Sequence, residues 1–231
     1  MRLVLWDIDG TLVSTAGHGW RAFGEAFERL FGRPPEGVMP MAGHTDHEIA
    51  LGILERNGVE GAEAHLPRMW EALADALTAR QERMASEGRA QPGAHKALEA
   101  LAARDDVLQS LLTGNIAANA VTKLAAFGLE GLVDFEIGGY GSDHRVRSEL
   151  VGIACGRASH KHGLGLGPAD AVLIGDTPLD IGAARSAGAR AVAVATGPHE
   201  IEELTEADAV LPDLRDLAAL LEAIGIEAST P

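Results

Sequence analysis

Short uninterrupted apolar runs alternate along most of the chain with longer stretches whose apolar residues return every third or fourth position. Leu3 to Trp6 is one such run and ends in Asp7-Ile8-Asp9-Gly10. Leu108 to Leu112 ends at Thr113-Gly114-Asn115, and Ala171 to Ile174 ends at Gly175-Asp176-Thr177-Pro178. Arg190 to Ala195 and Ala209 to Leu211 are further runs of the same kind. Such runs suit strands buried on both faces of a parallel sheet. Between them the spacing predicts helices over Ile116 to Phe127, Glu149 to Lys161, Pro178 to Ala187 and Leu214 to Ile224. Gly128 and Gly188 stand just past two of these, where the closing residue of a helix turns left-handed. Strand-helix alternation of this kind implies right-handed crossovers and an α/β fold with a doubly wound parallel sheet.

The stretch 15–91 breaks the alternation. Trp20, Phe23, Phe27, Leu30 and Phe31 recur at helical spacing until Gly32-Arg33-Pro34-Pro35. Thr45-Asp46-His47-Glu48 has the form of a capping box opening a helix that Gly58 closes. Leu66, Trp70, Leu73 and Leu77 mark a third helix running toward Met84. No strand is expected here. The chain therefore divides into a sheet-bearing core, 1–14 and 92–231, and an all-helical insertion, 15–91. Trp20, Phe23 and Phe27 are read as core of that insertion, and residues 229–231 as a frayed tail.

The 231 residues are 46% hydrophobic, enough to bury a sizeable core, and carry 34 acidic against 19 basic side chains, a formal charge of −15. That balance argues against nucleic acid or an anionic membrane as partner, since both call for basic surface. No apolar run is long enough to span a bilayer, and the first residues have no secretory pattern, so a cytoplasmic protein is expected. Cys155 is the sole cysteine, which excludes an intrachain disulfide and a thiolate metal cluster. The three lysines are Lys96, Lys123 and Lys161, and none of them is expected to reach the ends of the strands.

Ligands of open parallel sheets bind beyond the carboxyl ends of the strands. Three such ends carry Asp7 and Asp9, Thr113, and Asp176 with Asp180 close behind. Gathered in one pocket, the carboxylates would repel unless a cation lay between them. Hard oxygen ligands in small number suit Mg²⁺, which engages substrate phosphate as well. The chemistry implied is phosphoryl transfer on a small phosphorylated metabolite.

Asp7-Ile8-Asp9-Gly10-Thr11-Leu12, the strand ending in Thr113, and Gly175-Asp176-Thr177-Pro178-Leu179-Asp180 together resemble the haloacid dehalogenase superfamily. The order and spacing extend over essentially the whole chain. The insertion sits where that family's type 1 cap domain belongs, on a Rossmann-like core, and the pattern is similar to phosphoglycolate-phosphatase-like and beta-phosphoglucomutase-like members. The resemblance implies that Asp7 is a nucleophile forming an aspartyl-phosphate and that Asp9 is the general acid and base. It implies Mg²⁺ held by Asp7, the Asp9 carbonyl and Asp176, with Asp180 in support. Thr113, with Gly114 and Asn115 at the start of the next helix, would bind phosphate, and Gly10 would turn the chain beside it. The family's lysine before the helix preceding the last motif is missing. That region reads His144-Arg145-Val146-Arg147-Ser148-Glu149, and Lys161 lies at the far end of the helix, about 20 Å away at 1.5 Å per residue. Arg147 is expected in its place, with Arg145 second.

His18 and His44 are the candidates in the insertion for contact with substrate. A mutase relative would carry a histidine soon after the first motif, and its position falls on Gly19, one residue past His18. Asp9 argues against the metal-free dehalogenase branch, and the absence of a lysine ending a late strand argues against a signalling receiver domain. A non-catalytic phospho-ligand binder would have no need of the intact Asp7, Asp9 and Asp176 set.

Overall fold

The computed structural model describes residues 1–37 and 41–226; the tail at 229–231 lies outside them. β1 (Arg2–Trp6) leads through β2 (Val13–Ser14) into four helices, α1 (His18–Phe31), α2 (Asp46–Arg56), α3 (Ala62–Thr78) and α4 (Gln81–Glu87). The chain returns by β3 (Arg89–Ala90) and continues with α5 (Ala94–Ala102), β4 (Val107–Thr113), α6 (Ala117–Ala126), β5 (Gly139–Tyr140) and α7 (Glu149–His162). It ends with β6 (Ala171–Gly175), α8 (Pro178–Ala187), β7 (Arg190–Val194), β8 (Ala209–Leu211) and α9 (Leu217–Ala223). Among the described residues no helix is long and apolar enough to cross a membrane.

Six strands form one parallel sheet in the order β5-β4-β1-β6-β7-β8. The strand order reverses next to β1, so the ends of β4, β1 and β6 open on one crevice. Apolar side chains alternate between the two faces: Val4, Trp6, Val172 and Ile174 face one cluster, and Leu3, Leu5, Ala171 and Leu173 the other. Burial on both faces explains why these strands read as continuous apolar runs rather than alternating ones.

The helices α1–α4 build a third cluster around Phe23, Phe27, Met69 and Leu73, and Ile116 just before α6 joins it. The insertion is thereby seated on the helix that follows Thr113. Three expectations are corrected here. β2 and β3 form an antiparallel pair of two residues each where no strand was expected, too short for any periodic signal. The third helix does not run unbroken to Met84 but divides at Ala79 and Arg80 into α3 and α4. Trp20 is only half-buried, unlike Phe23 and Phe27, and faces the cavity between insertion and sheet.

Asp46 fixes this seating. The expected capping box at Thr45 and Glu48 is present. The Asp46 N–H donates to the Gly114 carbonyl (2.7 Å) and its carboxylate accepts from the Ile116 N–H (2.8 Å). Burial raises the Asp46 pKa from 3.8 to about 6, against the pull of Lys123 and the Ile116 hydrogen bond. The folded state therefore binds the proton more tightly than the unfolded state, and stability falls as pH rises from about 4 to about 6. Relative to Asp46→Asn, which does not titrate, the wild type should gain about 2 kcal/mol on acidification from pH 7 to pH 4. Urea unfolding of both proteins across that range checks this; a difference independent of pH would contradict it.

Candidate active site

The three strand ends deliver their polar residues to one place. Asp7 follows β1 and Thr113 ends β4; Asp176 follows β6, and its neighbour Thr177 opens α8. The cavity they floor has a volume of about 260 Å³, and the insertion roofs it with Trp20, Met41, His44 and Ile49. Gly10 adopts φ +89°, and a Cβ there would lie 2.2 Å from Asp176 Oδ2, so both the turn and the close approach require glycine.

Oxygens of Asp7, Asp176 and Asp180, all buried, lie within 4.8 Å of one another. Burial is the main force raising the Asp7 pKa, opposed by Arg147 and assisted by Asp180 and Asp9. Burial likewise raises that of Asp176, with Asp7 and Asp180 adding repulsion. Such a cluster of hard oxygens fits a divalent cation, which would relieve the repulsion. Thr11 Oγ1 donates to Asp176 Oδ1 at 2.8 Å and holds that carboxylate in place. The two oxygens of Asp180 are engaged elsewhere: Oδ2 accepts from the Thr177 N–H and hydroxyl, and Oδ1 from Arg147. Asp180 therefore fits a supporting position better than direct ligation.

Arg147, just before α7, reaches the same carboxylates. Its Nη2 donates to Asp7 Oδ1 (2.8 Å) and Asp180 Oδ1 (2.5 Å), and its Nη1 to the Gly43 carbonyl (3.3 Å). Burial opposes the Arg147 charge, but Asp180 and Asp7 outweigh it and the pKa is raised overall. Arg145 instead offers its carbonyl to Thr45 Oγ1. Lys161 pairs with Asp134 and Glu136, away from the cavity.

Asp9 turns its carboxylate away from the Asp7, Asp176 and Asp180 group. Lys123 Nζ lies 2.5 Å from Asp9 Oδ2 and 2.6 Å from Asn115 Oδ1. Asn115 Nδ2 donates to the same Asp9 oxygen (2.9 Å) and to Thr113 Oγ1 (2.8 Å). The expectation that no lysine reaches the strand ends is thus wrong: Lys123 does so from the second turn of α6. Its position was the available signal, because Ala120, Lys123 and Leu124 share the buried face of that helix, and a buried ammonium must meet an anion.

The remaining candidates divide. Thr113 is fully buried, and its oxygen already accepts from Asn115, which leaves its hydrogen to donate into the cavity. The N–H of Gly10 is bonded to the Val13 carbonyl and that of Asn115 to Thr113 Oγ1. Gly10 therefore turns the chain rather than offering its N–H, Asn115 is corrected from a backbone phosphate donor to a residue whose side chain holds Asp9, and Gly114 stays at the cavity wall. His44 stands half-exposed at the rim, 3.4 Å from Glu48. His18 is corrected outright: it is buried against Glu87 (3.1 Å), while its neighbours Gly17 and Gly19 line the cavity.

Comparisons with known proteins agree with this geometry. A family model described as haloacid dehalogenase-like hydrolase matches residues 4–185. No curated protein matches the chain in sequence. Among solved structures, a hydrolase from Pseudomonas syringae is 23% identical with TM-score 0.66, covering 96% of this chain and 97% of its own. CbbY from Rhodobacter sphaeroides, in complex with phosphate, is 20% identical with TM-score 0.66, covering 94% and 96%. A "predicted phosphoglycolate phosphatase" from Haemophilus somnus is 19% identical with TM-score 0.66, covering 95% and 97%. With a match over residues 4–185 and the strand-end carboxylates assembled as described, the chain belongs to the haloacid dehalogenase-like hydrolase family.

Proposed function

We propose that the protein is a Mg²⁺-dependent phosphatase that hydrolyses a small phosphate monoester through an aspartyl-phosphate on Asp7. The observation that carries this reading is the separation of the two aspartates of the first motif. Asp7 lies among Asp176, Asp180 and Arg147, whereas Asp9 is held by Lys123 and Asn115 on the side facing the insertion. Two carboxylates two residues apart thus receive different environments, which supports a reading in which one attacks and the other transfers protons.

Mg²⁺ would be held by Asp7, Asp176 and the Asp9 carbonyl, and when bound it neutralises charge on the phosphoryl oxygens. Arg147 restrains the Asp7 carboxylate and places a fixed positive charge beside the reacting phosphorus. Thr113 donates its hydroxyl to a phosphoryl oxygen, and the Gly114 N–H stands next to it. Asp9 gives a proton to the departing alcohol and then takes one from the water that cleaves the aspartyl-phosphate. The insertion, residues 15–91, acts as a cap whose β2–β3 connection to the core is a hinge, so that closure excludes water. A phosphosugar mutase would use the same floor, but Gly19 stands where the mutase histidine would fall and His18 faces Glu87.

Asp7→Asn should abolish turnover of phosphate esters while leaving the circular dichroism spectrum unchanged, because the carboxylate itself attacks. Hydrolysis at the wild-type rate by the purified variant would overturn the mechanism. Chelation should stop phosphate release and Mg²⁺ should restore it, with Ca²⁺ a poor replacement because its larger, looser coordination shell would take both oxygens of Asp7. Full activity in excess chelator would contradict the metal's role. Arg147→Ala should lose more than about a hundredfold in kcat/KM, about 2.7 kcal/mol, with Arg147→Lys recovering part of it. Arg145→Ala should cost far less; the reverse ranking would transfer the role to Arg145.

A further inference from the structure

The charges lining the cavity restrict the alcohol that the substrate can carry. Among the described lining residues the carboxylates are Asp7, Asp9, Asp46 and Asp176, and the permanent cations are Arg147 and Lys123. Arg147 is engaged by Asp7 and Asp180 on the floor. Lys123 is the cation at the other end, and two of its three N–H donors already meet Asp9 and Asn115. The same ammonium is also the strongest attraction on buried Asp46. His44 faces Glu48 at the rim.

The rest of that end is apolar. Trp20, Met41 and Ile49 line it, with the backbones of Gly17 and Gly19 between them. A Cβ on Gly19 would lie 3.6 Å from Lys123 Nζ and 3.8 Å from Met41 Cε, so these groups adjoin where the leaving alcohol must reach Asp9. A carboxylate or second phosphate on that alcohol would enter a space already holding Asp9 and Asp46, while both permanent cations among the described lining residues, Arg147 and Lys123, are already paired. Buried charge without a partner is strongly disfavoured. The cavity's total of about 260 Å³ also has to contain the phosphoryl group.

We infer that the leaving group is a small uncharged alcohol with a largely apolar skeleton, and that Lys123, by being committed to Asp9, excludes phosphate esters carrying a second anionic group. This rests on the phosphatase reading above and narrows it.

The test compares phosphoglycolate with its amide, 2-amino-2-oxoethyl phosphate, which has the same shape and lacks the carboxylate charge. Propyl phosphate serves as the apolar ester and acetyl phosphate as a small activated control, all with Mg²⁺. The amide and propyl phosphate should exceed phosphoglycolate in kcat/KM by tenfold or more. Met41→Arg, which adds a cation beside Gly19, should narrow the gap between amide and acid severalfold in a protein whose melting temperature is retained. Preference for phosphoglycolate by an enzyme that also hydrolyses acetyl phosphate would overturn the inference and leave the phosphatase reading standing. A gap unmoved in folded, active Met41→Arg would overturn the charge argument. Failure to release phosphate from acetyl phosphate or any ester would instead remove the phosphatase reading itself.

Discussion

Arg147 brings a guanidinium into a space where Asp7 and Asp180 would otherwise face each other away from water. For Asp7, burial and the neighbouring Asp180 charge both favour the proton, and the guanidinium opposes them. The arginine holds Asp7 in place just after β1 and Asp180 in the first turn of α8. Asp180 in turn completes the capping box with Thr177, so the start of that helix is fixed to the same charge. Through Nη1 and the Gly43 carbonyl the guanidinium also reaches the loop that precedes Thr45. One buried cation thereby ties the sheet, the last motif and the insertion together.

Around that centre the cavity has two unlike ends. Its floor is made by strand ends, where main-chain geometry sets the carboxylates and the hydroxyl of Thr113 in register. Its roof is made by helices of the insertion, which contribute mainly apolar surface. α6 serves both: Ile116 packs into the helical cluster and binds Asp46, while Lys123 reaches back toward Asp9. Long side chains on a helix lean toward its N-terminus, which is how a residue in the second turn comes to stand beside a strand end. Floor and roof thus meet at Asp9, whose carboxylate belongs to the floor by sequence and is held by Lys123 and Asn115 by geometry.

Much of the floor was legible in the sequence because strands buried on both faces leave uninterrupted apolar runs, and the polar residues that stop them are the ones that line the cavity. Arg147 was legible from the lack of a lysine and from Ser148 opening α7. What escaped the sequence depends on tertiary reach or on very short elements. Lys123 sits within a helix rather than at a strand end, and only its place on the buried face hinted at an anionic partner. Trp20 shares its spacing with Phe23 and Phe27 and packs against the same cluster, but it also lines the cavity, which the spacing alone did not show. His18 precedes Gly19 by one residue, and that single step of about 100° round a helix separates the cavity from Glu87. α5 went unread although Ala94, Ala97, Leu98 and Leu101 share one face, because two of those four positions are held by small alanines with weak apolar contrast.

The dependence of this site on Arg147 is tested most directly by the stability of Arg147→Met, Asp180→Asn and the double variant in metal-free buffer at neutral pH. Removing one member of a buried charged group typically costs about 3–5 kcal/mol because its partners are left uncompensated. Arg147→Met alone should therefore be strongly destabilised. Asp180→Asn, which keeps an oxygen for Thr177, should lower the stability of the wild type yet raise that of Arg147→Met. Opposite signs in the two backgrounds are the result predicted here; the same loss in both would show that the guanidinium and Asp180 act independently and would contradict the account.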